Sequence, residues 1–331
     1  MTRTRSTVFL AVALSIAALV GACGSTSGPL GSVPVASGSP EPSVAQGSPD
    51  LTPAPSDEPT TEPAESPDAS DPSAAPSSAS PSPAPVGTTI VRAYFWLGGL
   101  PGSEGLVATL REIPGTKGVA AAAVKALLAG PTTGESGRSI STAVPDGSKL
   151  LGLSIDGGVA TVDLSSEFES GGGSAAVMTR LGQMVYTLTQ FPTVKSVVFE
   201  IEGERKTVFS SEGVSLDKPA TRADFVELLP AIWVDRPAFN AAIGNPAHVT
   251  GNADVFEATF RISILDGAGK KLADVQVMAS CGSGCRGTFD TTIAYTITKA
   301  QYGILRVYNP SAKDGSPESI RDYRIWLTPK S

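Results

Sequence analysis

Histidine occurs once in the 331 residues, at His248, and cysteine three times, at Cys23, Cys281 and Cys285. That scarcity removes much catalytic and metal chemistry. A Ser-His or Cys-His nucleophile needs a base beside it, and no Gly-x-Ser-x-Gly elbow occurs. A zinc site built on Cys281 and Cys285 would need two further ligands. Ser311 and Lys313 invite a Ser-Lys dyad, but the adjoining Asp314-Gly315-Ser316 reads as a turn between strands. Asp163 and Glu167 invite a glycosidase carboxylate pair, but they flank a strand end that faces solvent. Gly171 to Gly173 lacks the preceding strand and the lysine of a phosphate loop. No catalytic residue, cofactor or metal ligand is expected.

Lys and Arg are absent from residues 24–87, a tract holding 15 of the 27 prolines and eight acidic residues. With so few aromatic and branched apolar side chains it cannot offset its chain entropy, so a disordered, partly polyproline-II spacer is expected. The totals are 32 acidic and 25 basic residues. Subtracting those eight acids, and Arg3 and Arg5 before them, leaves 24 against 23 and a folded part near −1. Such a balance provides no basic face for nucleic acid and no acidic one for cationic ligands.

Arg3 and Arg5 precede an apolar run, Val8 to Val20, that is too short to span about 30 Å of hydrocarbon. No second run long enough to cross a membrane occurs further along. Val20-Gly21-Ala22-Cys23 closes the segment and resembles a bacterial lipobox, which implies a signal peptide over 1–22 and diacylation of the Cys23 thiol. An ordinary cleaved signal beside an incidental cysteine is the alternative reading. The lipobox implies a chain anchored by lipid on the extracytoplasmic face of the membrane, with residues 23–87 as its tether. A 64-residue coil has a mean span of roughly 45 Å, and full polyproline-II extension reaches about 200 Å.

Residues 88–215 read as a first domain. Thr89 to Leu97 alternates as a strand, with Val91, Ala93, Phe95 and Leu97 on one face. Val119, Ala122, Ala123, Ala126 and Leu127 have helical spacing, and Gly130-Pro131 stops that helix. Two strands meet at the Asp156-Gly157-Gly158 turn. Val177, Leu181, Met184, Val185 and Leu188 form one helical stripe opened by Ser174 as N-cap. Val197, Phe199 and Ile201 then alternate into a hairpin at Glu202-Gly203-Glu204. These elements predict a sheet with two helices packed on it, of α+β class. The Leu127-Leu128-Ala129-Gly130-Pro131-Thr132 helix end, the Val144-Pro145-Asp146-Gly147-Ser148 turn, the strand from Gly158 to Ser165 and the run from Gln183 to Thr189 together resemble the GerM N-terminal (GerMN) domain. The resemblance implies a non-enzymatic envelope domain, similar to ring-building domains of secretion channels.

Residues 216–228 read as a linker and 229–331 as an all-β domain. Phe256, Ala258, Phe260, Ile262 and Ile264 alternate into the Asp266-Gly267-Ala268-Gly269 turn, and Ala273, Val275 and Val277 return. Further strands fall at 289–298, 304–308 and 322–327, a spacing that predicts an immunoglobulin-type sandwich. Val249 to Ala253, Val255 to Ala258, Gly287 to Phe289 and Ser311 to Ser316 resemble the immunoglobulin-like domain of bacterial spore germination. Cys281 and Cys285, across a Gly-Ser-Gly tip, read as a disulfide outside that pattern. His248 reads as a turn or surface residue. Trp96, Trp233 and Trp326 are candidate partner-surface aromatics, with burial between strand and helix or between domains as the bland alternative.

These readings point to a membrane-anchored envelope lipoprotein acting as a scaffold for protein partners or for its own copies. A wall-polymer or small-ligand binder is the second reading, and a wall hydrolase the third. The lipobox makes a direct prediction. Cys23→Ala should abolish incorporation of a palmitate analogue in the native host, and unchanged labelling would show that Cys23 is not the anchor.

Overall fold

A computed structural model describes residues 87–99 and 101–330. The expected signal segment, Cys23 and the expected spacer up to residue 86 lie outside the described residues. The chain opens on β1 (Thr88–Leu97), whose Val91, Ala93, Phe95 and Leu97 are all buried, as their alternation predicts. Tyr94 on the opposite face is also fully buried, so the centre of β1 is covered from both sides. β2 (Gly105–Pro114) pairs antiparallel with it along its whole length. Alternation does not announce β2, because Gly105 to Thr109 is buried continuously.

Helix α1 (Val119–Leu128) packs Ala123, Val124 and Leu127 inward, and a single turn, α2 (Thr133–Ser136), leads to β3 (Ile140–Ser141) beside the end of β1. A second sheet is built from β4 (Leu150–Asp156) and β5 (Val159–Leu164), which turn at Gly157 and Gly158, both at positive φ. Helix α3 (Ser174–Leu188) then crosses to β6 (Ser196–Ile201), parallel to β5, and β7 (Glu204–Arg205) closes the order β4-β5-β6-β7. A short pair, β8 (Val208–Phe209) and β9 (Val214–Ser215), comes next. Gly173, not Ser174, occupies the N-cap of α3, since the Ser174 hydroxyl donates to Glu212 instead.

Polar side chains of α3 take the place of a missing strand. Along the β1 edge away from β2, the Gln183 amide donates to the Tyr94 carbonyl at 3.0 Å and the Tyr94 amide donates to Thr187 Oγ1 at 3.2 Å. Just past the helix, Gln190 accepts from the Arg92 amide and donates to the Arg92 carbonyl. Gln183 and Thr187 are wholly buried, so each would be costly if it did not meet a partner.

The second half forms two facing sheets. One contains β10 (Ile232–Arg236), β12 (Ala247–Ala253) and β15 (Gly287–Ile293). The other runs β11 (Ala242–Ile243), β17 (Pro317–Leu327), β16 (Gln301–Pro310), β13 (Thr259–Leu265) and β14 (Lys271–Met278). Phe260 and Phe289 meet between the sheets, ring centroids 4.9 Å apart. The strand expected from Phe256 begins only at Thr259. Val255 gives its carbonyl to the amides of Ala258 and Ser283, and the resulting turn, with Glu257 and Ala258 at positive φ, leaves Phe256 71% exposed.

All described residues fall within one compact unit. Residues 216–228, expected as a linker, carry Leu216, Ala220 and Phe225 into the shared core. The junction forms at the outer edge of β2. Trp233 Nε1 donates to the Leu106 carbonyl at 2.9 Å, and Arg321 donates to the carbonyls of Ser103, Gly105 and Leu106. The Phe239 amide donates to the Ala108 carbonyl at 2.8 Å. Trp233, named above as a candidate partner-surface aromatic, is 2% exposed and packs on Tyr94 and Tyr186, so it holds the junction.

Trp233→Phe should lower stability by about 1 kcal/mol through the lost N–H donor. Trp233→Ala should lower it by about 3–5 kcal/mol through the vacated volume. Urea unfolding of both variants checks this, and a loss below about 0.5 kcal/mol for Trp233→Ala would contradict the junction role.

Candidate ligand cleft and contact surfaces

Gly130-Pro131-Thr132 is more than a helix stop. The Thr132 hydroxyl accepts from the Glu135 amide, Glu135 accepts from the Thr132 amide at 2.8 Å, and this capping box seeds α2. Arg111 on β2 grips the same carboxylate with two hydrogen bonds of 2.8 and 2.6 Å. The Glu135 side chain is 6% exposed. Burial opposes its charge, but the bonds from Arg111 and Thr132 outweigh that and hold its carboxyl below the ordinary glutamate value.

This anchored turn delivers Arg138 and Ser139 to a cleft of about 670 Å³. Ser139 adopts a positive φ, and its carbonyl accepts from the Gly98 amide at 2.8 Å, which ties the turn to the end of β1. The facing wall is the outer surface of β16 and β17, where Tyr302, Ile304 and Arg306 stand beside Asp322 and Arg324. Tyr302 pairs directly with Trp326 across the strands, their rings 4.7 Å apart and edge-on. Arg324 stacks over Tyr302 and donates through Nη1 to Asn240 at 2.7 Å.

Four guanidinium groups line this cleft, and they differ in how their charge is met. Arg306 is neutralised by Asp322 through two bonds of 2.7 Å. Arg138, Arg321 and Arg324 have no carboxylate partner among the described residues. Arg321, only 3% exposed, donates to backbone carbonyls and to the Tyr323 hydroxyl. Its charge is met by dipoles and not by a counter-charge. Sequence reading singled out none of these residues, because Arg138 belongs to the first half and Arg321 and Arg324 face opposite sides of β17.

Cys281 and Cys285 are bonded, their Cα atoms 6.0 Å apart, and the tip they close is held by Ser283 and Gly284 against residues 254–257. His248 lies exposed on β12, with Nε2 2.6 Å from Asp290. Ser311 and Lys313 sit in a turn closed by the Gly315 amide on the Ser311 carbonyl. Asp163 accepts from the Gly203 amide, and Glu167 is exposed. Trp96 and Trp326 are half-buried. Among the described residues no group of three or more His, Cys, Asp or Glu is placed to hold a metal ion, and no helix is long and apolar enough to cross a membrane.

A third surface feature is β4, an edge strand of the second sheet, on which Leu151 and Ile155 are 48% and 42% exposed.

Residues 94–207 match the family model described as sporulation and spore germination, and residues 231–316 match the immunoglobulin-like domain of bacterial spore germination. The chain therefore carries a GerMN domain followed by a germination-type immunoglobulin-like domain. Among solved structures, the first GerMN domain of the sporulation protein GerM from Bacillus subtilis is 20% identical, covering 41% of this chain and 98% of its own, with a TM-score of 0.35. The tandem GerMN domains of that protein are 14% identical, covering 63% of this chain and 62% of theirs, with a TM-score of 0.36. No curated protein matches the chain.

The Glu135 anchor has a pH signature. An unfolded glutamate titrates near 4.3, so a depressed folded value stabilises the protein fully above about pH 5, and that contribution is lost as pH falls through the folded value. Glu135→Gln should cost about 2–3 kcal/mol at pH 7 and progressively less as pH falls below about 4, the unfolded glutamate value. Urea titrations across that range check it, and an equal deficit at both ends would show that the charge is not what matters.

Proposed function

We propose that the protein is a non-enzymatic, lipid-anchored scaffold on the extracytoplasmic face of the membrane, holding envelope proteins by association. The observation that carries this reading is the junction, where the two domains share one core. They act as a single body on the tether. Cys23 is the anchor in this reading, and the spacer lets the body search the space above the membrane. Tethering gives an effective concentration of roughly millimolar for short linkers and less for one this long, which suffices for weak contacts.

The contact surface we favour is the free edge of β4. An edge strand presents unpaired backbone groups, and exposed Leu151 and Ile155 add apolar area that a partner strand would cover. Self-association through the same edge is the homotypic version. Because the two domains share a core, point changes test this better than deleting a domain. Crosslinking in cells should give partner bands that disappear with L151K/I155K, since lysines on an edge oppose pairing, and persist with Val208→Lys elsewhere on the surface. Bands that survive L151K/I155K would remove β4 as the contact surface, and an absence of bands from the unaltered protein would remove the scaffold reading.

A further inference from the structure

We propose that the cleft between the turn after α2 and the β16-β17 face binds an acidic saccharide, a sugar bearing a carboxylate or a phosphate. The inference stands apart from the scaffold reading, which uses an apolar strand edge elsewhere on the surface.

Three observations converge. The first is uncompensated charge. The cleft is lined by Arg138, Arg321 and Arg324, none with a carboxylate partner among the described residues, and its single acid, Asp322, is already engaged by Arg306. The folded part is near neutral overall, so this local excess is not a reflection of a basic protein. Low-dielectric walls and a buried cation behind them focus a positive potential into the opening.

The second observation is preorganisation. Arg324 lies over Tyr302, its Cζ 3.2 Å from the ring centroid, and is tethered through Nη1 to Asn240. Its Nε and Nη2 edge has no hydrogen-bond partner among the described residues. That edge is the planar fork that donates to two oxygens of one carboxylate or phosphate. Stacking and the Asn240 bond have already removed much of the side chain's rotamer freedom, so less is lost when an anion binds. Arg138, reaching in from α2, is held by one bond to the Gly134 carbonyl and retains donors for a second oxygen or a neighbouring group.

The third observation is size and surface. At about 670 Å³ the cleft is far larger than one oxyanion needs and falls within the range of small-molecule sites. Tyr302, 45% exposed, lines the cleft beside the arginines, with Trp326 packed edge-on against it outside the lining. Leu97, Phe239 and Ile304 add apolar lining, while Gly98 and Gly99 keep the floor low. A charged group on a sugar ring matches this combination of a fork, an exposed tyrosine and a mixed wall. A bare inorganic anion would leave most of the cleft unfilled.

The test is calorimetric titration of the full chain in detergent with three probes. N-acetylmuramic acid supplies the carboxylate, N-acetylglucosamine phosphate supplies the phosphate, and N-acetylglucosamine is the neutral control. At least one acidic probe should bind about tenfold or more tightly than the neutral one, and its affinity should fall with added salt. Which acidic probe binds identifies the source of the charge. Arg324→Gln should weaken that binding by about tenfold, and Arg138→Gln by a smaller factor, while Arg205→Gln, an exposed change outside the cleft, should leave it unchanged. Circular dichroism and melting temperature identify any variant that fails to fold, and Arg324→Lys serves in that case, since it keeps the charge and loses the fork. Equal affinity for acidic and neutral sugars, no binding of any probe, or full affinity in folded Arg324→Gln would each overturn the proposal.

Discussion

The outer edge of β2 is the constraint on which the described structure depends. The carbonyls of Gly105, Leu106 and Ala108, with that of Ser103 just before the strand, lie where the two halves meet, away from water that could satisfy them. An unmet carbonyl there would cost about 1–3 kcal/mol. The second half meets all four with Arg321, Trp233 Nε1 and the Phe239 amide. Each donor comes from a different part of the sandwich, so the junction fixes the orientation of one half against the other. It also explains why a guanidinium is tolerated at 3% exposure, since its N–H groups are engaged by carbonyl dipoles.

A related device holds β1. Its inner edge is met by Gln183, Thr187 and Gln190, so two polar side chains of a helix and one just past its end stand in for a strand. The motifs that carry the family resemblance acquire structural explanations in this way. Gln183 and Thr187 belong to that edge, Gly130-Pro131-Thr132 introduces the capping box gripped by Arg111, and Gly251 lets β12 pass close under the Trp233 carbonyl and the Phe289 ring. A fold signature of this kind says how the chain is built. The arginines of the cleft and the exposed apolar residues of β4 lie outside those motifs.

Much of the architecture was legible in the residues. The alternation in β1, β5, β6, β13 and β14, the apolar stripe of α3 and the glycine turns gave strands, helices and connections close to those observed, because period and turn chemistry are local properties. Elsewhere the local pattern is overridden by tertiary contacts. β2 is buried on both faces and does not alternate. Phe256 fits an alternating strand, yet the disulfide-closed tip takes the Val255 carbonyl and turns the chain outward. Trp233 has an ambiguous strand position, and its burial depends on Tyr94 and Tyr186, distant in sequence.

By itself the sequence determined the composition of the tract before residue 88, the near neutrality of the residues after it, the class of each half and the cysteine pair that becomes the Cys281–Cys285 bond. Those properties arise from residue type and short-range spacing. Only the tertiary structure decided that the two halves form one body, that Trp233 serves the junction, and that Arg138, Arg321 and Arg324 surround one cleft. The reason is range: local periodicity says which face of a strand is apolar, whereas the partner of an edge carbonyl or the neighbours of a charge come from segments far apart in the chain, and no local pattern records them.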